Sequence, residues 1–180
     1  IMAATLFVER AVATCGRIIV VPYANSSGSS YPDTIHPEIG FYSLTTQSGV
    51  RTFTYGDRRT NPAHQGPDPA QYVHYPSGQV FAGDESRNLD RAHPGKPDGN
   101  LTQQLAYAYH QLLLAEHVDV AFDLHEAGPT SRLANMVVAN PKNLDFAVIA
   151  VVDLEMQGIV MNVEHSSGDF PGLSHREWGD

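Results

Sequence analysis

With 180 residues, 42% of them hydrophobic, and no apolar run of membrane length, the chain has the size of one globular domain. Its 20 acidic and 11 basic residues leave a net charge of −9, with Lys96 and Lys142 the only lysines. No basic stripe is available to neutralise phosphates, so neither nucleic acid nor a membrane is an expected partner. Cys15 is the single cysteine, which rules out an internal disulfide and a thiolate zinc cluster. Acidic, lysine-poor composition suits a periplasmic or secreted protein slightly better than a cytosolic one, and fixes neither.

Ile1 to Val12 has the spacing of an amphipathic helix, with no capping residue ahead of it, and Trp178-Gly179-Asp180 has loop composition. The expectation from both ends is a partial catalytic domain, residues 1–180 of something longer. Arg17-Ile18-Ile19-Val20-Val21-Pro22 is a β-branched run of the kind that fills a buried parallel strand. From about 26 to 82 the composition turns to Ser, Gly, Pro, Tyr and Asn, with a short strand signal at Val50–Tyr55. An insertion of that length, carrying aromatics and arginines, is expected to be ordered and to fold over a site.

Asp84 to Gly95 then packs acids, Arg87, Asn88, Asp90 and Arg91 ahead of a Pro-Gly turn. A guanidinium held on such a short loop is suited to reading a carboxylate; a solvated charged loop is the plainer alternative. Asn100-Leu101-Thr102-Gln103 has the form of a capping box, and Leu101, Leu105, Ala108, Leu112 and Leu113 continue at helical spacing to about His117. Val118 to Leu124 alternates apolar and acidic or small residues, which is the period of a strand, and it delivers His125 to the strand's carboxyl end, where open α/β sheets place their ligands. His125 is therefore a candidate metal ligand; its alternative is a histidine that caps the strand. Met136–Ala139 and Ile159–Val163 read as further strands around a helix from Asn143 to Gln157 closed by Gly158. The alternation predicts an α/β fold with a mixed, largely parallel central sheet flanked by helices and interrupted by the loop insertion.

No His-Glu-Xaa-Xaa-His helix, phosphate-cradling glycine loop or Gly-Xaa-Ser-Xaa-Gly elbow occurs, so serine and cysteine nucleophiles have no support. What does occur is Asn88-Leu89-Asp90-Arg91, then His93-Pro94-Gly95, a helix, and a strand ending in Asp123-Leu124-His125. That series resembles the zinc carboxypeptidase superfamily, and within it the succinylglutamate desuccinylase and aspartoacylase branch. The resemblance implies one zinc ion bound by His125 and a substrate carboxylate gripped by Arg91 with Asn88 and Asp90. It also implies that Arg58 or Arg59 polarises the scissile carbonyl, with spacing unable to choose between the two. Asn88 and Asp90 stand in the reverse of the family's usual Asp and Asn order, and a carboxylate at position 90 needs a compensating cation nearby. A His-Xaa-Xaa-Glu pair before the first helix and a general-base glutamate beyond the last residue are implied as well, with Glu177 a poor stand-in for the latter. The function expected is zinc-dependent hydrolysis of an amide beside a carboxylate, on a small-molecule or peptide substrate, by a metallocarboxypeptidase or an N-acyl-amino-acid deacylase. A non-catalytic carboxylate-binding module on the same fold is the rival.

Overall fold

The computed structural model describes residues 1–32, 40–127, 130–131, 133–165 and 172–179. The helices are α1 (Met2–Arg10), α2 (Ser26–Ser29), α3 (Pro62–Gln65), α4 (Leu101–Ala115), α5 (Leu144–Met156) and α6 (Ser174–Glu177). The strands are β1 (Gly40–Thr46), β2 (Gly49–Tyr55), β3 (Gln71–Val73), β4 (Val80–Ala82), β5 (Met136–Ala139) and β6 (Asn162–His165). They pair two by two: β1 with β2 and β3 with β4 antiparallel, β5 with β6 parallel. Two 3₁₀ turns, Gly83–Arg87 and Leu89–Arg91, carry the arginine loop. The fold is thus mixed α/β. Among the described residues no helix is long and apolar enough to cross a membrane.

The regular elements form where local chemistry supports them. In α4 the Asn100 side chain accepts from the Gln103 amide at 2.9 Å, and the Gln103 side chain accepts from the Asn100 amide at 3.1 Å, closing the predicted capping box. The loop before α4 lies so close to it that a Cβ on Gly95 would meet the Tyr107 nitrogen at 2.1 Å. With φ at +89°, that position calls for glycine. β5, α5 and β6 form the βαβ unit expected for a parallel pair. β6 starts at Asn162 rather than at Ile159, because the Gly158 and Ile159 amides are spent on the Glu155 and Leu154 carbonyls that end α5.

The 26–82 region is ordered where described, and buried polar contacts dock it on the segment that carries the arginines and α4. The largest fully buried side chains among the described residues are His74, His93, Asn88, Thr60 and Thr102. Asn25 donates to the Thr60 hydroxyl at 3.1 Å, Thr60 and Thr102 share a hydrogen bond of 2.7 Å, and Thr102 donates to Gln65 Oε1 at 2.5 Å. An amide nitrogen at one end can only donate and a carbonyl oxygen at the other can only accept, so every hydroxyl proton points from Asn25 towards Gln65. Arg87 makes a bidentate pair with Asp68 at 2.6 and 3.0 Å and donates to the Thr60 carbonyl at 2.7 Å. Tyr72 donates to the Arg91 carbonyl at 2.7 Å, and His74 Nε2 lies 2.8 Å from the His93 carbonyl.

A largely parallel central sheet is not among the described elements. Arg17–Pro22 and Val118–Leu124 run outside any ladder, and Ile18, Ile19, Val21, Val120, Phe122 and Leu124 are exposed. Alternation and β-branching report which faces a segment offers; they do not supply the neighbour whose amides and carbonyls make it a strand. His36 and Gly128 lie outside the described residues.

Replacing Thr102 by Val removes the second hydroxyl of the Asn25-to-Gln65 relay and leaves the buried Thr60 hydroxyl without its acceptor, while Gln65 Oε1 keeps only the Thr102 amide. A loss of roughly 1–3 kcal/mol in unfolding free energy is expected, measured as a lower denaturant midpoint at unchanged slope. Thr102→Ser, which keeps the hydroxyl, should recover most of it.

Candidate metal centre

Asp123 and His125 lie two apart in sequence, and their side chains meet. His125 Nε2 lies 3.0 Å from Asp123 Oδ2, and its Nδ1 lies 3.6 Å from Asp90 Oδ2. Asp90 arrives from the Leu89–Arg91 turn, whose first amides are held by the Asn88 side chain, with Asp90 N donating to Asn88 Oδ1 at 3.1 Å. Ser174, at the start of α6, donates to Asp123 Oδ2 at 2.5 Å. One ligand atom from each of Asp90, Asp123 and His125 lies within 4.8 Å of the other two. A nitrogen and two carboxylate oxygens at that spacing could hold a metal ion.

Without a metal the three groups hold one another as charges. The hydrogen bond to Asp123 raises the His125 pKa to about 9 against the opposing effect of burial, with Asp90 adding to the rise. His125 is therefore an imidazolium at neutral pH, donating towards a carboxylate from each ring nitrogen. Burial alone would push Asp123 up, but the bonds from His125 and Ser174 and the charge on His125 outweigh it and hold Asp123 below its ordinary value. Asp90 goes the other way: burial raises it, aided by the Asp123 charge, and His125, Arg91 and Arg58 offset only part of the rise. A metal ligand must be the neutral imidazole, so a metal ion bound here would expel the His125 proton.

Beside this cluster three arginines converge on Glu85. Arg59 Nη2 lies 2.7 Å from its carboxylate, Arg58 Nη2 3.3 Å and Arg91 Nε 3.7 Å, and Asn88 Nδ2 donates to it at 2.6 Å. Burial opposes the charge on Glu85, yet the Asn88 bond and the Arg58 and Arg59 charges keep its pKa below the usual value. Arg59 is also 2.9 Å from Asp84, so two carboxylates lock it, whereas the Arg58 side chain is 61% exposed. The two arginines that spacing could not tell apart are thus held differently, Arg59 by two carboxylates and Arg58, among the described residues, by Glu85 alone. Arg91 additionally lies 5.6 Å over the Phe81 ring and donates to the Asp90 carbonyl at 2.8 Å.

Of the residues expected from sequence, His125, Asp90, Arg91 and Arg58 come together around one locus. Asn88, expected as a substrate contact, is buried, with its oxygen capping the Asp90 turn and its nitrogen bound to Glu85. Asp90 is placed opposite His125, which supplies the cation its position demands. Asp90 and Asp123 join His125 as possible ligands, where the sequence reading assigned the metal to His125 alone. The pairing of Asp123 with His125 was legible through their two-residue spacing; the approach of Asp90, expected as a substrate contact, to His125 and the role of Glu85 were not, because long-range folding brings them in. Glu177 accepts from the Gly172 amide at 3.1 Å, a scaffolding contact within the loop of α6.

His93 lies near Asp123 and His125. It is buried, and its Nδ1 accepts from Trp178 Nε1 at 3.2 Å, which requires a lone pair there. Burial lowers its pKa from 6.5 to about 4 despite the Asp123 charge. His175, on α6, is likewise held below its ordinary value, first by burial and then by His125, and its Nε2 is buried without a partner among the described residues.

Compared with protein-family models, with curated proteins and with solved structures, the chain matches none.

Between pH 6.5 and about 4 the unfolded chain takes up a proton at His93 that the folded protein refuses. This contribution to stability is flat above that window, falls as pH falls through it, and levels off below, by a total of roughly 3 kcal/mol. Equilibrium unfolding followed by the emission of Trp178, the single tryptophan, should show the loss. His93→Gln should flatten the dependence over the same range.

Proposed function

We propose that the chain carries the site of a zinc-dependent hydrolase acting on an amide bond next to a carboxylate, as a metallocarboxypeptidase or an N-acyl-amino-acid deacylase. One observation carries the reading: a possible nitrogen-and-oxygen ligand set, Asp90, Asp123 and His125, lies against a group of arginines, with Asp90 under the influence of His125, Arg91 and Arg58 together. A carboxylate receptor and a metal position side by side are what such a reaction needs. Zinc bound there supplies Lewis-acid activation of water. In this reading Arg91 takes the substrate carboxylate, and the exposed Arg58 turns to the carbonyl oxygen as negative charge develops on it. Glu85 spaces the guanidinium groups, and Ser174 keeps Asp123 aimed at His125.

The finer architecture belongs to the same proposal. Arg17–Pro22 and Val118–Leu124 are read as strands that extend the β5–β6 pair into a largely parallel sheet, with His125 at its carboxyl edge. Their β-branched or alternating sequences and exposed apolar residues support this. Slow amide exchange across Val118–Leu124 in the purified protein is the expected signature; exchange at the rate of an open loop contradicts it.

The rival reading, a metal-free carboxylate-binding module, draws support from Glu85, a carboxylate already seated among three arginines. Metal content separates the two. The hydrolase reading expects about one zinc per chain, and activity on N-acyl amino acids or carboxyl-terminal peptides that a chelator abolishes. His125→Ala should lower kcat/KM by about a thousandfold, equivalent to roughly 4 kcal/mol of transition-state stabilisation. Full activity of that variant, or insensitivity to the chelator, would sink the proposal.

A further inference from the structure

A second cavity, of about 380 Å³, lies where the turn between β3 and β4, the loop after His93 and one face of α4 meet. Its volume is within the roughly 300–1,000 Å³ of most ligand pockets. Tyr75 comes from the turn, Pro94, Lys96, Pro97 and Asp98 from the loop, and Tyr107 from α4. His110 and Gln111, three and four residues on, add hydrogen-bonding groups from the same helix face.

Each segment is held by contacts of its own. The Lys96 amide donates to the Gln103 carbonyl at 3.1 Å and Gln104 Nε2 to the Gly99 carbonyl at 2.7 Å, which fastens the loop to the first turns of α4. Behind Tyr75, the buried His74 bonds to the His93 carbonyl at 2.8 Å and to the Ser77 hydroxyl at 2.7 Å.

The charges on the wall define what fits. Lys96 and Asp98 stand two residues apart and both line the cavity, and among the described residues neither makes an ion pair. The Lys96 ammonium rests 5.3 Å from the centre of the Tyr75 ring, a contact that orients the cation without neutralising it. A simple anion would meet Asp98 as a like charge, and a simple cation would meet Lys96 in the same way. A ligand carrying both charges complements the pair. Pro94, Pro97 and the Tyr107 ring offer the same ligand a flat apolar portion of wall, suited to an aromatic group.

We propose that this cavity binds a free α-amino acid with an aromatic side chain, its carboxylate on Lys96, its ammonium on Asp98 and its ring against Tyr107 and the two prolines. Either hydrolase considered above would release an amino acid, yet binding here depends on the cavity alone and is measured without turnover.

The test is an isotope-edited NMR titration of the full chain with L-phenylalanine, 3-phenylpropanoate, 2-phenylethylamine and glycine. L-Phenylalanine should saturate with a Kd on the order of 1 mM, as expected of a ligand of that size. Its shifts should centre on the amides of Gly95 to Gly99 and Tyr107 to Gln111. The propanoate and the amine, each lacking one charge, should bind about three- to tenfold more weakly. Glycine, which lacks the ring, should bind at least about tenfold more weakly. Asp98→Asn should abolish the preference for L-phenylalanine over the propanoate, and Lys96→Met its preference over the amine. Binding of the propanoate or the amine as tight as that of L-phenylalanine overturns the zwitterion site. So do the absence of saturable shifts at millimolar concentration, and shifts centred on Arg58 and Arg91 instead. Should either variant fail to fold, the ranking of the compounds on the parent decides.

Discussion

The relay from Asn25 through Thr60 and Thr102 to Gln65 is the constraint on which the described structure depends. It joins the start of α2, the turn before α3, and the first turn of α4, which lie far apart in sequence. With the Arg87–Asp68 pair beside it, this polar seam does work usually left to an apolar core. The two buried hydroxyls find their partners within the relay, and its end groups are held further by the Gly28 amide and the Ser86 carbonyl, so the arrangement favours one register. A hydrophobic seam of similar area would hold the segments together with less demand on their alignment.

That specificity positions the arginines. Thr60 immediately follows Arg58 and Arg59, and Arg87 immediately precedes Asn88, so the buried seam is one residue away from the groups that gather around Glu85. Arg59 and Asn88 also meet in an isolated antiparallel bridge. The long side chains can thus be presented from a backbone whose place is fixed, and the entropic cost of ordering them is reduced. On the other side, Asp90 follows Asn88 by two residues, and the cap that Asn88 provides sets the direction in which the Asp90 carboxylate faces His125. One buried asparagine therefore ties the arginine group to Asp90 and, through it, to His125.

Much of this was legible in the sequence where the information is local. The capping box of α4, the Gly158 end of α5, and the β5–α5–β6 order follow from residues within a few positions of one another, and the structure has them. The β1–β2 hairpin was only half seen, through Val50–Tyr55, because its turn lacks an Asn-Gly or Asp-Gly signal. Pairing of Arg17–Pro22 and Val118–Leu124 could not be read from their own residues, since a strand is a property of two segments. The site divides in the same way: Asp123 and His125 share a face of one extended run, but the approach of Asp90, and the choice between Arg58 and Arg59, depend on contacts across tens of residues. Reversal of Asn88 and Asp90 looked like a liability for carboxylate binding in sequence. In three dimensions it gives the buried position to the uncharged amide and the position facing an imidazolium to the acid, which is the assignment with the smaller desolvation cost.

His125 also shows how one set of side chains can serve with or without an ion. In the metal-free protein a proton occupies the position between the carboxylates, and the same Asp123 that makes a good anionic ligand also stabilises that proton. Carboxylate neighbours consequently have opposing effects on metal affinity: they add charge to the ligand set and raise the cost of freeing the imidazole. The balance turns on pH, because metal uptake releases a proton and proton binding does not release a metal unless one is present. A site built this way keeps its geometry when empty, since the imidazolium holds Asp90 and Asp123 about as a cation would. It also gives up little affinity near pH 9, where the His125 proton becomes easy to remove. Preorganisation and metal affinity thus pull against each other through a single proton, and the carboxylate pair around His125 sets where they balance.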